Sequence, residues 1–147
     1  MSEHKASIAW HSTDQPFTTE TYTRQHTWSF DGGVVIPASS APEYQGDWDR
    51  VDPEKGLVAS LSSCHMLTFL AVAAKRRIIV TSYEDEAVGT LEKNAEGKIA
   101  ITRIVLHPKV TFEGEAPSEE DLRKLHDSAS RNCFIGNSIQ SEVLVEL

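Results

Sequence analysis

Cysteine is scarce in this chain: only Cys64 and Cys133 among 147 residues. They do not form a CxxC pair, which excludes a thioredoxin-like motif. Two cysteines in a reducing compartment read as catalytic or redox groups before they read as a structural disulfide. Basic charge is also short, with 14 Lys and Arg against 22 Asp and Glu and a net charge of −8. No basic run offers phosphate neutralisation, so nucleic acid is not an expected partner. The opening MSEHKASIAW lacks the apolar segment of a signal peptide, which sets the expectation of a cytoplasmic protein. No GxSxG elbow occurs, which removes the commonest serine hydrolase arrangement. Cys64, His65, His107, His126 and Cys133 are ligand types for zinc, but none of the paired spacings of known zinc motifs is present, and no metal or cofactor is expected. There is no internal repeat, linker or low-complexity tract, so residues 1–147 read as a single domain.

Charge is missing altogether between Lys55 and Lys75, apart from a titratable His65. A helix start precedes this stretch. Asp52 can accept backbone N–H bonds as an N-cap, Pro53 fits the first helical position, and Glu54 suits the positive end of the dipole. The apolar residues Leu57, Val58, Leu61, Met66, Leu67, Phe69, Leu70 and Val72 come too densely for one face. The spacing predicts a buried helix over Asp52–Arg77, apolar nearly all round. A membrane span of ~20 residues is nearly reached, but Ser60, Ser62, Ser63, His65 and Thr68 interrupt it, and no second span exists. Burying Ser62-Ser63-Cys64-His65 without partners would cost about 1–3 kcal/mol for each group, so those groups need partners or a purpose.

Around this helix the chain reads as sheet. Ser7 to Trp10 alternates weakly as a first strand. Thr18 to Phe30 is rich in Thr and aromatics and reads as a strand that places Tyr22, Arg24, His26 and Trp28 on one face. Asp31-Gly32-Gly33 is a hairpin turn, Val34 to Ile36 the returning strand, and Pro37 to Arg50 a loop. Ile78 to Ala87 reads as a strand with Gly89 to Leu91 continuing it. Ile99 to Phe112 reads as one long strand marked by an edge or bulge at His107-Pro108. Ser118, with Asp121 three residues on, opens a second helix running to about Arg131, and Ser138 to Leu147 is the last strand. The fold class is therefore α+β with largely antiparallel sheet.

A thiol in apolar surroundings resists ionising, so a reactive Cys64 needs a cation; His65, Arg24, Lys55 and Arg131 are the candidates. His65 would point about 100° away from Cys64 on a helix and reads better as a hydrogen-bonded core histidine.

The segments VDPEKGLVASLSSCHMLTFLAVAAK, SYEDEAVGTLEKN and LHDSASRNCFIGNS, and less specifically YTRQHTWSFDGG, together resemble the OsmC/Ohr family of thiol peroxidases, on its OsmC-like branch. Ser130 departs from the pattern, standing where many relatives carry His before the second cysteine. The resemblance implies an intertwined homodimer with curved antiparallel sheet around long central helices. It places Cys64 at the peroxidatic position, Cys133 at the resolving position, and Glu54 and Arg24 at the family's glutamate and arginine. On that reading Arg24 holds Cys64 as thiolate while Glu54 orients the guanidinium through a bidentate pair. An organic hydroperoxide is reduced, a Cys64–Cys133 disulfide forms, and an external dithiol, in relatives often of the lipoyl type, resets it. Ten residues separate Glu54 from Cys64, ~15 Å on one straight helix. Either Glu54 acts across a dimer interface, or the helix breaks near Gly56. The rival readings are a non-catalytic dimer binding a small apolar ligand, and a structural stress-associated dimer with inert cysteines.

Overall fold

The computed structural model describes residues 1–147, which divide into two compact units, Met1–Gly56 and Leu57–Leu147. The first holds a three-stranded antiparallel sheet in the order β1-β2-β3, built from β1 (Ser7–Ala9), β2 (His26–Ser29) and β3 (Val35–Ala38). Ile8 faces Trp28 and Trp28 faces Ile36 across the ladders. The β2–β3 turn closes with Phe30 N–H donating to Val34 O at 2.9 Å. Gly32 and Gly33 sit at φ 84 and 86, the left-handed region that glycine enters without a side-chain penalty.

The expected strand from Thr18 to Phe30 is realised only over His26–Ser29. Upstream, local hydrogen bonds win over the sheet. Tyr22 N–H donates to Thr18 O at 3.1 Å, and the Thr18 and Thr21 hydroxyls bond each other at 2.6 Å. Short hydroxyl side chains compete for the backbone in this way wherever a turn is available. Phe17 packs between Trp10 and Tyr22. Tyr22 and Arg24 therefore lie outside any strand, and the shared face expected for them with His26 and Trp28 does not form.

Helix α1 (Pro53–Lys75) is the long central element. Asp52 caps it as expected, its Oδ1 accepting Lys55 N–H at 2.9 Å. Gly56 N–H donates to Asp52 O at 2.9 Å, so the helix is unbroken at Gly56. A Cβ on Gly56 would stand 2.5 Å from the Trp28 ring, which explains a glycine inside a helix. The expectation of burial all round is corrected: Leu61, His65, Phe69 and Ala73 form one buried stripe, four residues apart, while Leu67 is 59% exposed. Length and apolar content alone would let α1 cross a membrane, but that stripe is packed on protein.

The second unit carries two small sheets. Strands β4 (Val80–Asp85) and β7 (Pro108–Phe112) pair antiparallel. Strands β5 (Val88–Lys93), β6 (Ile99–Leu106) and β8 (Glu142–Val145) form the other sheet in that order, with β5–β6 antiparallel and β6–β8 parallel. Two expected strands are thus divided. The segment after Asp85 leaves β4 and enters the other sheet as β5 instead of continuing it. The long strand through Val110 breaks at His107, whose N–H donates to Asp85 Oδ1 at 2.7 Å in place of a ladder partner. Pro108 follows with no N–H at all. Helix α2 (Glu119–Asn132) opens on Ser118, whose Oγ accepts Asp121 N–H at 3.2 Å.

Two apolar clusters hold this unit. Leu61, Ile104, Leu106 and Cys133 form one, and Phe69, Ala73, Leu125 and Ala129 the other. Every one of these is fully or nearly fully buried, and burial of a large aliphatic or aromatic side chain stabilises by ~1.5–3 kcal/mol. The α+β class and the mostly antiparallel pairing are as expected from the sequence.

Candidate functional site

Cys64 lies in the middle of α1 and is half-buried; Cys133 caps the C-terminal end of α2 and is 1% exposed. Both are free thiols. They meet because the apolar cluster of Leu61, Ile104 and Leu106 takes Cys133 into its centre and Cys64 against its edge. Gly136 N–H donates to Cys133 Sγ at 3.3 Å. Burial, and then the hydrogen bond with the Cys64 thiol beside it, push the Cys133 thiol up from its ordinary value, so Cys133 rests protonated. The arrangement divides two roles between like groups. One thiol is reachable from outside, and the other is sheltered, protonated and adjacent.

The polar residues of the α1 midsection each find a solution. Ser62 Oγ donates to Asp85 Oδ2, and the same carboxylate accepts His107 N–H through its other oxygen. Ser63 faces solvent. Thr68 Oγ1 donates to Cys64 O at 2.8 Å. His65, 1% exposed, bonds His126 through Nε2 and Nδ1 at 3.0 Å, as a core histidine should. Desolvation lowers the pKa of His65 against the opposing pull of Asp85. It lowers that of His126 to about 4, with His65 itself and Arg123 adding to the effect while Asp127 and Asp85 oppose it. Tyr83 is raised, first by burial and then by Asp85. His65 is thus a neutral core group and does not supply a cation to Cys64.

Arg24 and Glu54 both lie in the first unit. The Arg24 guanidinium donates to Tyr22 O at 2.5 Å and to Thr19 O at 2.6 Å, and stacks 3.7 Å above the Tyr22 ring. It makes no ion pair with Glu54, so the expected bidentate pair is not formed within the chain. One carboxylate oxygen of Glu54, Oε2, is buried with no hydrogen-bond partner. Lys55 is engaged with Asp52 at 3.5 Å.

Sequence reasoning missed Asp85, which anchors both Ser62 and His107. It also missed the pairing of His126, considered only as a zinc ligand type. A signal existed for His126: it falls with Leu122, Leu125 and Ala129 on the apolar stripe of α2, where a polar ring needs a partner. No group of side chains is arranged to hold a metal ion.

Fold and site together define a class: an α+β protein with a reduced dithiol where its central helix meets the end of its second helix. The family model of OsmC-like proteins matches residues 45–147, and the chain belongs to that family. An OsmC-like protein of unknown function from Vibrio cholerae is similar at 49% identity, with 99% of each chain covered and a TM-score of 0.95. An organic hydroperoxide resistance protein from Elizabethkingia anophelis aligns over 100% of this chain and 94% of its own, at 16% identity and a TM-score of 0.75. The organic hydroperoxide resistance protein OhrB of Bacillus subtilis aligns over 97% of both chains, at 18% identity and a TM-score of 0.69. At those two identities the likeness is one of fold. A comparison with curated proteins finds no match.

Proposed function

We propose that this protein is a cysteine-based peroxidase that reduces organic hydroperoxides in the cytoplasm. The observation that carries the reading is the half-buried Cys64 thiol set beside the buried Cys133 thiol. Its fold neighbours include organic hydroperoxide resistance proteins. The Cys64 thiolate attacks the outer peroxide oxygen. An S–O bond forms, the O–O bond breaks, and the alkoxide leaves as alcohol after taking a proton, so Cys64 becomes a sulfenic acid. The Cys133 sulfur then attacks the Cys64 sulfur. The hydroxyl departs with the Cys133 proton as water, and the disulfide remains. An external dithiol, of the lipoyl type in the family reading, restores both thiols by exchange.

The same reading makes the working unit a homodimer. On an unbroken α1 the ten residues from Glu54 to Cys64 advance ~15 Å, so Glu54 serves the thiol of a second copy. Its unpartnered Oε2 is suited to receive a guanidinium there, with Arg24 as the family's arginine. The apolar part of α1 left uncovered by its own chain, Leu67 above all, supplies area for such an assembly.

Replacing each cysteine in turn tests the chemistry. Cys64→Ser abolishes turnover with cumene hydroperoxide. Cys133→Ser completes one reduction, cannot recycle through a dithiol, and accumulates Cys64 sulfinic acid visible by mass spectrometry. Wild-type turnover in Cys64→Ser refutes the assignment.

A further inference from the structure

Helices α1 and α2 meet along an antiparallel seam. Leu61, His65, Phe69 and Ala73 line it from α1, and Leu122, Leu125, His126 and Ala129 from α2. Cys133 follows at the α2 C-cap. Nearly all of this seam is hydrocarbon, which attracts without direction. One contact is directional. Apart from the thiol contact of Cys64 with the Cys133 cap, it is the bond from His65 to His126, 3.0 Å long with the rings within 7° of parallel, that joins the two helices. It is enclosed by Phe69, whose ring centroid is 4.5 Å from that of His126, and by Tyr83 on β4. His65 adjoins Cys64 in the chain, and His126 stands seven residues before Cys133, ~10 Å along the axis. A slip of α2 by one turn moves Cys133 by ~5.4 Å, well beyond sulfur–sulfur bonding distance.

Resting on the peroxidase reading above, we propose that the His65–His126 pair is a positioning device for disulfide formation: it holds α2 in the register that keeps Cys133 against Cys64, and so decides whether a Cys64 sulfenic acid closes to the disulfide or is oxidised further. The two fates are chemically distinct. Closure joins the sulfurs and releases water, whereas a second hydroperoxide delivers another oxygen to Cys64 and leaves as alcohol. Neither histidine touches the reacting atoms. In the neutral pair one facing nitrogen donates and the other accepts. Protonation of both rings makes both facing nitrogens donors and opens the bond. Asp85 and Tyr83 on β4, with Arg123 and Asp127 on α2, are the titratable and charged groups around it. Burial keeps both rings neutral near pH 7.

The test uses the full chain as wild type, His126→Phe, which fills the space without the bond, and His126→Asn, whose amide can reproduce a bond near the Nδ1 position. Closure of Cys64–Cys133 is first driven by diamide, a two-electron oxidant that takes up both thiol hydrogens, and is followed by loss of free thiol. This readout needs no peroxidase activity. His126→Phe closes about tenfold more slowly, the factor expected from losing one buried hydrogen bond, and His126→Asn recovers most of the rate. With cumene hydroperoxide, His126→Phe forms sulfenic acid at the wild-type rate but diverts more of it to sulfinic acid. Equal diamide closure in wild type and His126→Phe overturns the proposal. If wild type closes with diamide and the variant is slow, yet no form reduces peroxide, the peroxidase reading fails while the positioning role stands. If His126→Phe does not fold, His65→Leu breaks the same bond from α1; diamide closure at the wild-type rate in that variant overturns the proposal.

Discussion

Acid should destabilise this protein through one identifiable pair. His65 and His126 are 1% and 2% exposed and held neutral. In the unfolded chain His126 takes up a proton near pH 6.5; in the folded protein it does so only at about pH 4. Between those values the unfolded state binds more protons, so stability rises with pH across that window. The contribution is fully present above pH 6.5 and is lost progressively as pH falls to about 4. Each pH unit is worth about 1.4 kcal/mol, so the window from 6.5 to about 4 carries about 3 kcal/mol. His65 shifts in the same direction, but the two rings repel when both are charged, so their effects do not add. Against a total of ~5–15 kcal/mol this is a large share. The assay is urea unfolding at fixed protein concentration from pH 7.5 to pH 4, for wild type and His126→Asn. Titration of carboxylates affects both proteins alike and cancels in the difference. Wild type should lose about 3 kcal/mol more than the variant over that range. Parallel curves, agreeing within about 1 kcal/mol at every pH, refute the assignment of a buried neutral pair.

Three further outcomes are expected. Iodoacetamide near pH 7 should label half-buried Cys64 well before Cys133, which is 1% exposed and raised in pKa; peptide mapping after brief labelling reads the order, and prior labelling of Cys133 contradicts the division of roles. Gly56→Ala should destabilise despite the better helix propensity of alanine, because its Cβ would stand 2.5 Å from the Trp28 ring; a cost of ~1–3 kcal/mol, the range for overpacking, should appear in urea melts, and a gain in stability removes the close approach as the reason for this glycine. Mixing inactive Cys64→Ser with inactive Glu54→Gln, after dissociation and reassociation, should restore roughly a quarter of wild-type sites if Glu54 acts across a two-fold axis; recovery of nothing above the parents places the site within one chain.

Local signals were legible. Asp52 and Pro53 open α1, Ser118 opens α2, and Asp31-Gly32-Gly33 turns the first hairpin, because each depends only on groups within a few residues of one another. The sequence also marked Cys64 and Cys133 as the candidate chemical residues, through their scarcity and through the family resemblance of the segments that contain them, and it marked His65 as a core group. Tertiary structure decided the rest. Whether Ile99 to Phe112 crosses from one sheet to another at His107 depends on Asp85, a side chain distant in sequence that captures the His107 N–H. Composition favoured a strand at Thr18–Gln25, but nearby hydroxyls and carbonyls offered that backbone better partners. Nor could periodicity pair β8 parallel with β6, or put His126 on His65 and Cys133 on Cys64. Those meetings follow from how the α1 and α2 stripes and the β6 core close on one another, a property of packing between segments that no local pattern encodes.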